Sequence, residues 1–236
     1  MTENNLHQKE EMWQHFFNKP KRYYNLYIFK MLEYQDYIIF EKEKINEKKG
    51  NWNNYFKNEN PICLEIGCGS GGFSQEIANR NKNKNLICLE LRFKRLCMCA
   101  KKAERLNLKN IVFLRQMAEN INDFLNTDEI SEIYINFPEP WDKKEENRIL
   151  QKDFFYKVDN ILKVGGKIFF KTDHDKYYED IINLVKNELE NFELIYYTND
   201  LHNSDKSSEN IKTEFENLFL HKHNKNINYM EIKKIK

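Results

Sequence analysis

Leu64-Glu65-Ile66-Gly67-Cys68-Gly69-Ser70-Gly71-Gly72-Phe73 is the stretch on which the reading of the fold turns. A short apolar run, Ile62 to Ile66, breaks into glycines, and an amphipathic run from Gly72 to Asn79 follows. Glycine enters left-handed backbone without penalty and lets a ligand approach the chain at a helix N-terminus. Strand, turn and helix therefore make the first half of a βαβ unit built to hold a small molecule. Gly67, Gly69 and Gly72 also satisfy G-x-G-x-x-G, and Glu90 lies 23 residues beyond Gly67 at the end of the next apolar run. That is the spacing of a ribose-binding carboxylate.

Two ligands fit the turn at this level. A nicotinamide dinucleotide matches the glycine spacing. S-adenosylmethionine is favoured by Glu65, immediately before the turn, because a carboxylate aimed into the pocket suits an ammonium and a sulfonium better than a diphosphate. A glycine turn chosen only for tight strand-to-helix packing is the third reading.

Outward from the turn, short apolar runs alternate with amphipathic ones. The runs Leu86 to Leu91, Ile111 to Leu114, Ile133 to Phe137 and Lys167 to Lys171 read as strands. Arg92 to Leu106, Ile121 to Leu125, Lys152 to Leu162 and Lys176 to Glu190 read as helices. Such alternation predicts an α/β fold with a parallel sheet. Further strands are expected at Phe192 to Tyr197 and within Phe219 to Lys233, the last pair antiparallel across His223 to Lys225. Residues 1–60, with helical runs such as Tyr23 to Glu47 broken by Pro20 and Gly50, read as a polar N-terminal extension; residues 61–236 read as the α/β domain.

Of 236 residues, 40% are hydrophobic and 32% charged, enough apolar material for one sizeable core. Lys+Arg 38 against Asp+Glu 37 leaves a net charge of +1, so a polyanionic partner has to be held by local basic patches rather than a global field. Cys63, Cys68, Cys88, Cys97 and Cys99 form an odd set without a C-x-x-C pair, the pattern of reduced thiols and hence of a cytoplasmic protein. No run approaches the roughly 20 apolar residues of a membrane span, and the polar start MTENNLHQKEEMWQ lacks an apolar signal core. No group of side chains has metal-ligand spacing, so no metal and no membrane are expected.

After the fourth strand comes Ile135-Asn136-Phe137-Pro138-Glu139-Pro140-Trp141-Asp142-Lys143-Lys144. Two prolines bracket Glu139 and stiffen the loop at the sheet edge where α/β proteins bind ligands. With Lys171-Thr172-Asp173, Leu201-His202-Asn203-Ser204 and Asn210-Ile211-Lys212-Thr213-Glu214-Phe215-Glu216 in order behind it, the chain resembles the bacterial tRNA (guanine-N7-)-methyltransferases. The resemblance runs from Pro61 to the C-terminus. It implies a Rossmann-like class I methyltransferase fold: a mostly parallel seven-stranded sheet, helices on both faces and an antiparallel C-terminal strand.

It further implies S-adenosylmethionine as cofactor, tRNA as partner with a variable-loop guanosine as target, and a monomer or homodimer. Cofactor contacts fall on Glu65, Gly67, Gly69, Glu90, Met117 and Glu139, and the catalytic carboxylate on Glu139. Substrate contacts fall on Lys143, Asp173, Thr213, Glu214, Phe215 and Glu216. Lys144, Arg148, Lys21 and Arg22 are the RNA-contact candidates, being basic residues beside aromatics or in the proline loop. Three departures stand out: Glu139 replaces the family Asp, Met117 stands where the family carries an Asp near the adenine, and Glu145-Glu146 interrupt the basic run after the loop. The departures keep a second reading open, a tRNA-binding protein on this scaffold with impaired catalysis.

Overall fold

The computed structural model describes residues 26–223 and 225–236; Lys21 and Arg22 lie outside them. Five apolar runs form a parallel array: β2 (Ile62–Ile66), β3 (Asn85–Leu89), β4 (Ile111–Leu114), β5 (Ile130–Asn136) and β6 (Leu162–Thr172). β3 and β4 are buried along their whole length, as continuous apolar strands covered on both faces must be. Two strands close the other edge, β7 (Phe192–Thr198) and β8 (Asn228–Lys234), with β8 antiparallel to both β6 and β7. With β1 (Ile38–Ile39) at the far edge, the order is β1-β4-β3-β2-β5-β6-β8-β7.

Among the described residues the sheet thus has eight strands where seven are expected from the resemblance. The additional strand is β1 (Ile38–Ile39), which pairs parallel with Phe113 and Leu114 at the β4 edge. It lies inside the stretch that reads as helical in the sequence. Among the described residues of that stretch only α1 (Tyr27–Met31) and α2 (Lys42–Asn46) are α-helical, followed by α3 (Trp52–Phe56). These elements join the common core: Trp52 and Ile45 are fully buried, and the Trp52 indole N–H donates to the Phe124 carbonyl at 2.9 Å.

Helices cover both faces. On one side α4 (Gly72–Arg80) and α5 (Phe93–Arg105) pack with α1; on the other, α6 (Ile121–Phe124), α7 (Lys152–Ile161) and α8 (Asp175–Glu188) cover the sheet. Cys97 and Cys99, two residues apart on α5, point to different neighbours, with Sγ atoms 3.5 Å from the Tyr27 carbonyl and 3.3 Å from the Gly69 carbonyl. The last helix, α9 (Glu214–His223), overturns the strand expected from Phe219. Its first turn carries the reason. Thr213 Oγ1 accepts the Glu216 N–H at 2.9 Å while the Glu216 carboxylate accepts the Thr213 N–H at 3.2 Å, a capping box that starts a helix.

From β2 the chain moves outward to β3 and β4, then returns to β5 on the other side. The crevice at the carboxyl ends of β2 and β5 is therefore a topological switch point, where open α/β sheets bind ligands.

Candidate active site

The glycine turn opens onto that crevice. Gly67 and Gly69 have φ of 76° and 59°, and a Cβ added at either meets nothing within 4 Å, so the backbone there faces open space. Gly71 serves packing instead: a Cβ on it would lie 2.7 Å from Cys99 Sγ. Beneath the turn, Glu65 is 2% exposed and accepts hydrogen bonds from Ser74 Oγ and from Asn136 Nδ2, the latter at 3.4 Å. Burial pushes its carboxyl up to about 7, against the opposing pull of Ser74, Asn136 and Lys171.

Above the turn lies the start of α9. Glu214 takes Lys102 Nζ at 2.8 Å and the Ser70 hydroxyl, and these two donors hold its carboxyl below the usual range. The Glu214 side chain also stands 3.2 Å from the Cβ position of Gly72, at the N-terminus of α4. Two residues on, Glu216 is fully buried. It receives Lys171 Nζ at 3.2 Å, Asn210 Nδ2 at 2.7 Å and the Thr213 N–H, with His202 Nε2 at 2.6 Å. Burial works to raise the Glu216 carboxyl, and this circle of donors, Lys171 foremost, outweighs it and leaves it lowered. With its oxygens enclosed, Glu216 corrects the expectation of a direct substrate contact. Thr213, engaged in the cap, sets the position of Glu214 and Phe215 together with Glu216 and still lines the crevice.

Glu139 sits where the two halves of the crevice meet. One half, about 480 Å³, runs from the glycine turn past Asp173 to Thr213, Glu214 and Phe215. The other, about 410 Å³, runs past Glu90 to Met117. Gly67, Asn136 and Glu139 line both. The loop bearing Glu139 departs from ordinary backbone at Phe137 (φ 50°) and Trp141 (φ 48°), non-glycine residues in left-handed conformation of the kind surrounding structure must enforce. Enforcement is visible: the Phe137 N–H donates to the Lys171 carbonyl at 2.8 Å, and Arg148 Nε donates to the Pro140 carbonyl at 2.6 Å.

Arg148 is a second correction. Only 7% exposed, it also donates to Asp180 at 2.8 Å and lies 4.7 Å from the centre of the Tyr177 ring, so it clamps the loop and offers nothing to a phosphate. Glu139 itself is exposed and has neither hydrogen bond nor ion pair among the described residues. Lys143 and Lys144 are exposed beside it, Asp173 is half-buried on the crevice wall, and the Phe215 ring, 46% exposed, packs 4.8 Å from the ring of Phe137.

Glu90, 7% exposed, uses one oxygen to accept the Leu91 and Arg92 N–H groups, each at 2.8 Å, and turns the other toward Arg95 at 3.5 Å. Met117 is 47% exposed and lines the same half. The crevice thus gathers Glu65, Gly67, Gly69, Glu90, Met117, Glu139, Asp173, Glu214 and Phe215, and leaves Lys143 and Lys144 on its outer rim. Ser74, Asn136 and Lys102 were missed as partners: each is polar and unremarkable in sequence, and only the fold brings it to a carboxylate. Among the described residues no His, Cys, Asp or Glu cluster could hold a metal ion, and no helix is long and apolar enough to cross a membrane.

This geometry weighs against a dinucleotide. A diphosphate needs free amides at the N-terminus of α4, and here the Glu214 carboxylate stands over them with Glu65 below.

Comparison with known proteins agrees. Residues 59–229 match the model of a methyltransferase family, Methyltransf_4. A tRNA (guanine-N(7)-)-methyltransferase of Clostridium novyi is 39% identical over 187 residues, 78% of this chain and 86% of that protein. A bifunctional glycosyltransferase/methyltransferase of Fusobacterium nucleatum is 54% identical over 98% of this chain, which spans 36% of that protein's length. A Streptococcus mutans methyltransferase solved in complex with SAH shares the fold at a TM-score of 0.50 and 16% identity, over 75% of this chain and 90% of that one. With a curated relative matched across most of both lengths, this chain belongs to the tRNA (guanine-N7-)-methyltransferase family.

Proposed function

We propose that the chain transfers a methyl group from S-adenosylmethionine to N7 of a guanine in tRNA, a variable-loop guanosine, with Glu139 as the catalytic carboxylate. The observation that carries this reading is a carboxylate, unpaired among the described residues, on a clamped loop where the two halves of the crevice meet. The crevice fits the cofactor. Gly67 and Gly69 present open backbone, Glu65 suits an ammonium, and the second oxygen of Glu90 suits ribose hydroxyls. When bound, S-adenosylmethionine supplies an electrophilic methyl group on a sulfonium.

Guanine N7 carries an in-plane lone pair in the neutral base, so no residue has to remove a proton to create the nucleophile. The protein's task is positioning and charge stabilisation. Glu139 faces the base as it becomes cationic, and a carboxylate there also accepts from N1–H and N2–H₂, a pairing that adenine does not offer. The Phe137–Phe215 pair gives the unstacked base an aromatic wall. Lys143 and Lys144 on the rim meet the RNA backbone, so binding should weaken with added salt. Incubation with unmodified tRNA and labelled cofactor tests the reading: 7-methylguanosine is expected in the nucleoside digest, and its absence overturns it.

Glu65 makes the first step pH-dependent. Its carboxyl, raised from the usual 4.5 to about 7, keeps its proton in a window where the unfolded chain has lost it; it therefore subtracts from stability as pH rises through that window. A cationic ligand favours the ionised form, so affinity for S-adenosylmethionine should climb from about pH 5.5 to about pH 7, with proton release on binding. Calorimetry in buffers of different ionisation enthalpy reads that release, and Glu65→Gln should abolish it. A flat profile in the parent protein would count against this role for Glu65.

A further inference from the structure

The turn that carries Asp173 to the crevice wall also carries His174, whose ring is engaged on both sides. His174 is the N-cap of α8, and its Nδ1 accepts the Tyr177 N–H at 3.0 Å. Its Nε2 lies 2.7 Å from Asp142 Oδ1, across in the loop that bears Glu139. A backbone N–H can only donate, so Nδ1 is the bare nitrogen and the ring proton sits on Nε2, aimed at the carboxylate. The turn is itself held, with the His174 N–H donating to Thr172 Oγ1 at 3.1 Å.

We infer that His174 is a positioning residue for the methyl transfer: by holding Asp142 it fixes the far end of the Glu139 loop against the turn that presents Asp173, and so sets the spacing of these two carboxylates across the crevice. This rests on the reaction proposed above. The Phe137 N–H on the Lys171 carbonyl and Arg148 on the Pro140 carbonyl restrain the loop up to Pro140. Trp141 follows in left-handed backbone, a conformation that needs restraint on both sides. Beyond it, the Lys144 N–H closes a turn on the Trp141 carbonyl, and the His174–Asp142 bond ties that turn to the end of β6. Asp142 is largely exposed, so the bond adds little to stability. Its effect lies in geometry, where a misplacement of about 1 Å costs up to about 10²-fold in rate.

The test separates the two jobs of the ring. His174→Asn keeps an N-cap oxygen for the Tyr177 N–H and is too short to reach Asp142. Asp142→Ala removes the other partner, and Asp142→Asn keeps an oxygen that accepts. At saturating tRNA and S-adenosylmethionine, His174→Asn and Asp142→Ala should each lower kcat about tenfold, and Asp142→Asn should stay within about threefold of the parent. The double variant His174→Asn/Asp142→Ala should lose no more than either single variant, because both remove one contact. Affinity of His174→Asn for S-adenosylhomocysteine should stay within about threefold and its Tm within about 2 °C, which a failure of the fold would not allow. Long-range proton–nitrogen NMR spectra of the parent should show the His174 ring protonated at Nε2. Single variants with kcat within about twofold of the parent, losses that multiply in the double variant, or a ring protonated at Nδ1 alone overturn the inference. A parent protein that forms no 7-methylguanosine overturns instead the reaction on which it rests, and the positioning role falls with it.

Discussion

Glu139→Ala should lower kcat by about 10²- to 10³-fold, the scale on which one preorganised electrostatic partner of a charged transition state is felt. Affinity for S-adenosylhomocysteine should stay within about threefold. The split follows from where Glu139 stands: it borders both halves of the crevice without a hydrogen bond among the described residues, so removing it strips no support from the glycine turn, Glu65 or Glu90. Tritium transfer to tRNA and calorimetry with the product cofactor read the two quantities separately. Equal losses in both would make Glu139 a cofactor ligand and remove it from the chemistry. Glu139→Asp, which withdraws the carboxylate by one methylene, should keep more activity than Glu139→Ala; the loop is held from both ends by Phe137 and Arg148 and has little freedom to follow the shorter side chain.

The second large effect is on stability. Lys171 at the end of β6 and Glu216 in the first turn of α9 form an ion pair whose side chains are 6% and 0% exposed. Replacing one partner of such a pair leaves a buried charge uncompensated, at a cost of about 3–5 kcal/mol. Lys171→Met should therefore lower Tm by roughly 10 °C in a chain of this size. The double variant Lys171→Met/Glu216→Gln should lose less than the two single losses added together, because each change relieves the other. Single losses under about 1 kcal/mol in thermal denaturation would show the pair to be replaceable. The Lys171 Nζ also donates to the Ile211 carbonyl at 2.9 Å, so the variant should loosen the segment that brings Glu214 and Phe215 to the crevice.

The strands and the glycine turn were legible because local pattern alone determines them: an apolar run, a left-handed turn and an amphipathic helix need no partner to be recognised. Ile38–Ile39 was not. Two apolar residues carry no period, and they are a strand only because Phe113 and Leu114 offer an edge beside them. The end of the chain was misread for a different reason. Thr213-Glu214-Phe215-Glu216 is a capping-box sequence, and reading it solely as a set of substrate contacts hid the helix it starts. Arg148 shows the same limit: its charge suggested phosphate, and its position in the fold made it the clamp of a loop. Lone residue types announce chemistry, and only packing decides which of them face a ligand.

The order in which the parts of the crevice are synthesised has its own consequence. Ser70 and Glu214 are 144 residues apart in the chain, and β8, which supports this end of the sheet, inserts between β6 and β7 instead of adding to an edge. During vectorial synthesis β6 and β7 cannot take their final places until Asn228–Lys234 arrives to join them, and β6 keeps an unpaired side in the meantime. Such late, long-range closure makes for slow folding and a vulnerable intermediate. A nascent chain that has completed only its glycine turn thus carries one wall of the crevice, and the contact between Ser70 and Glu214 forms only once the far end has docked.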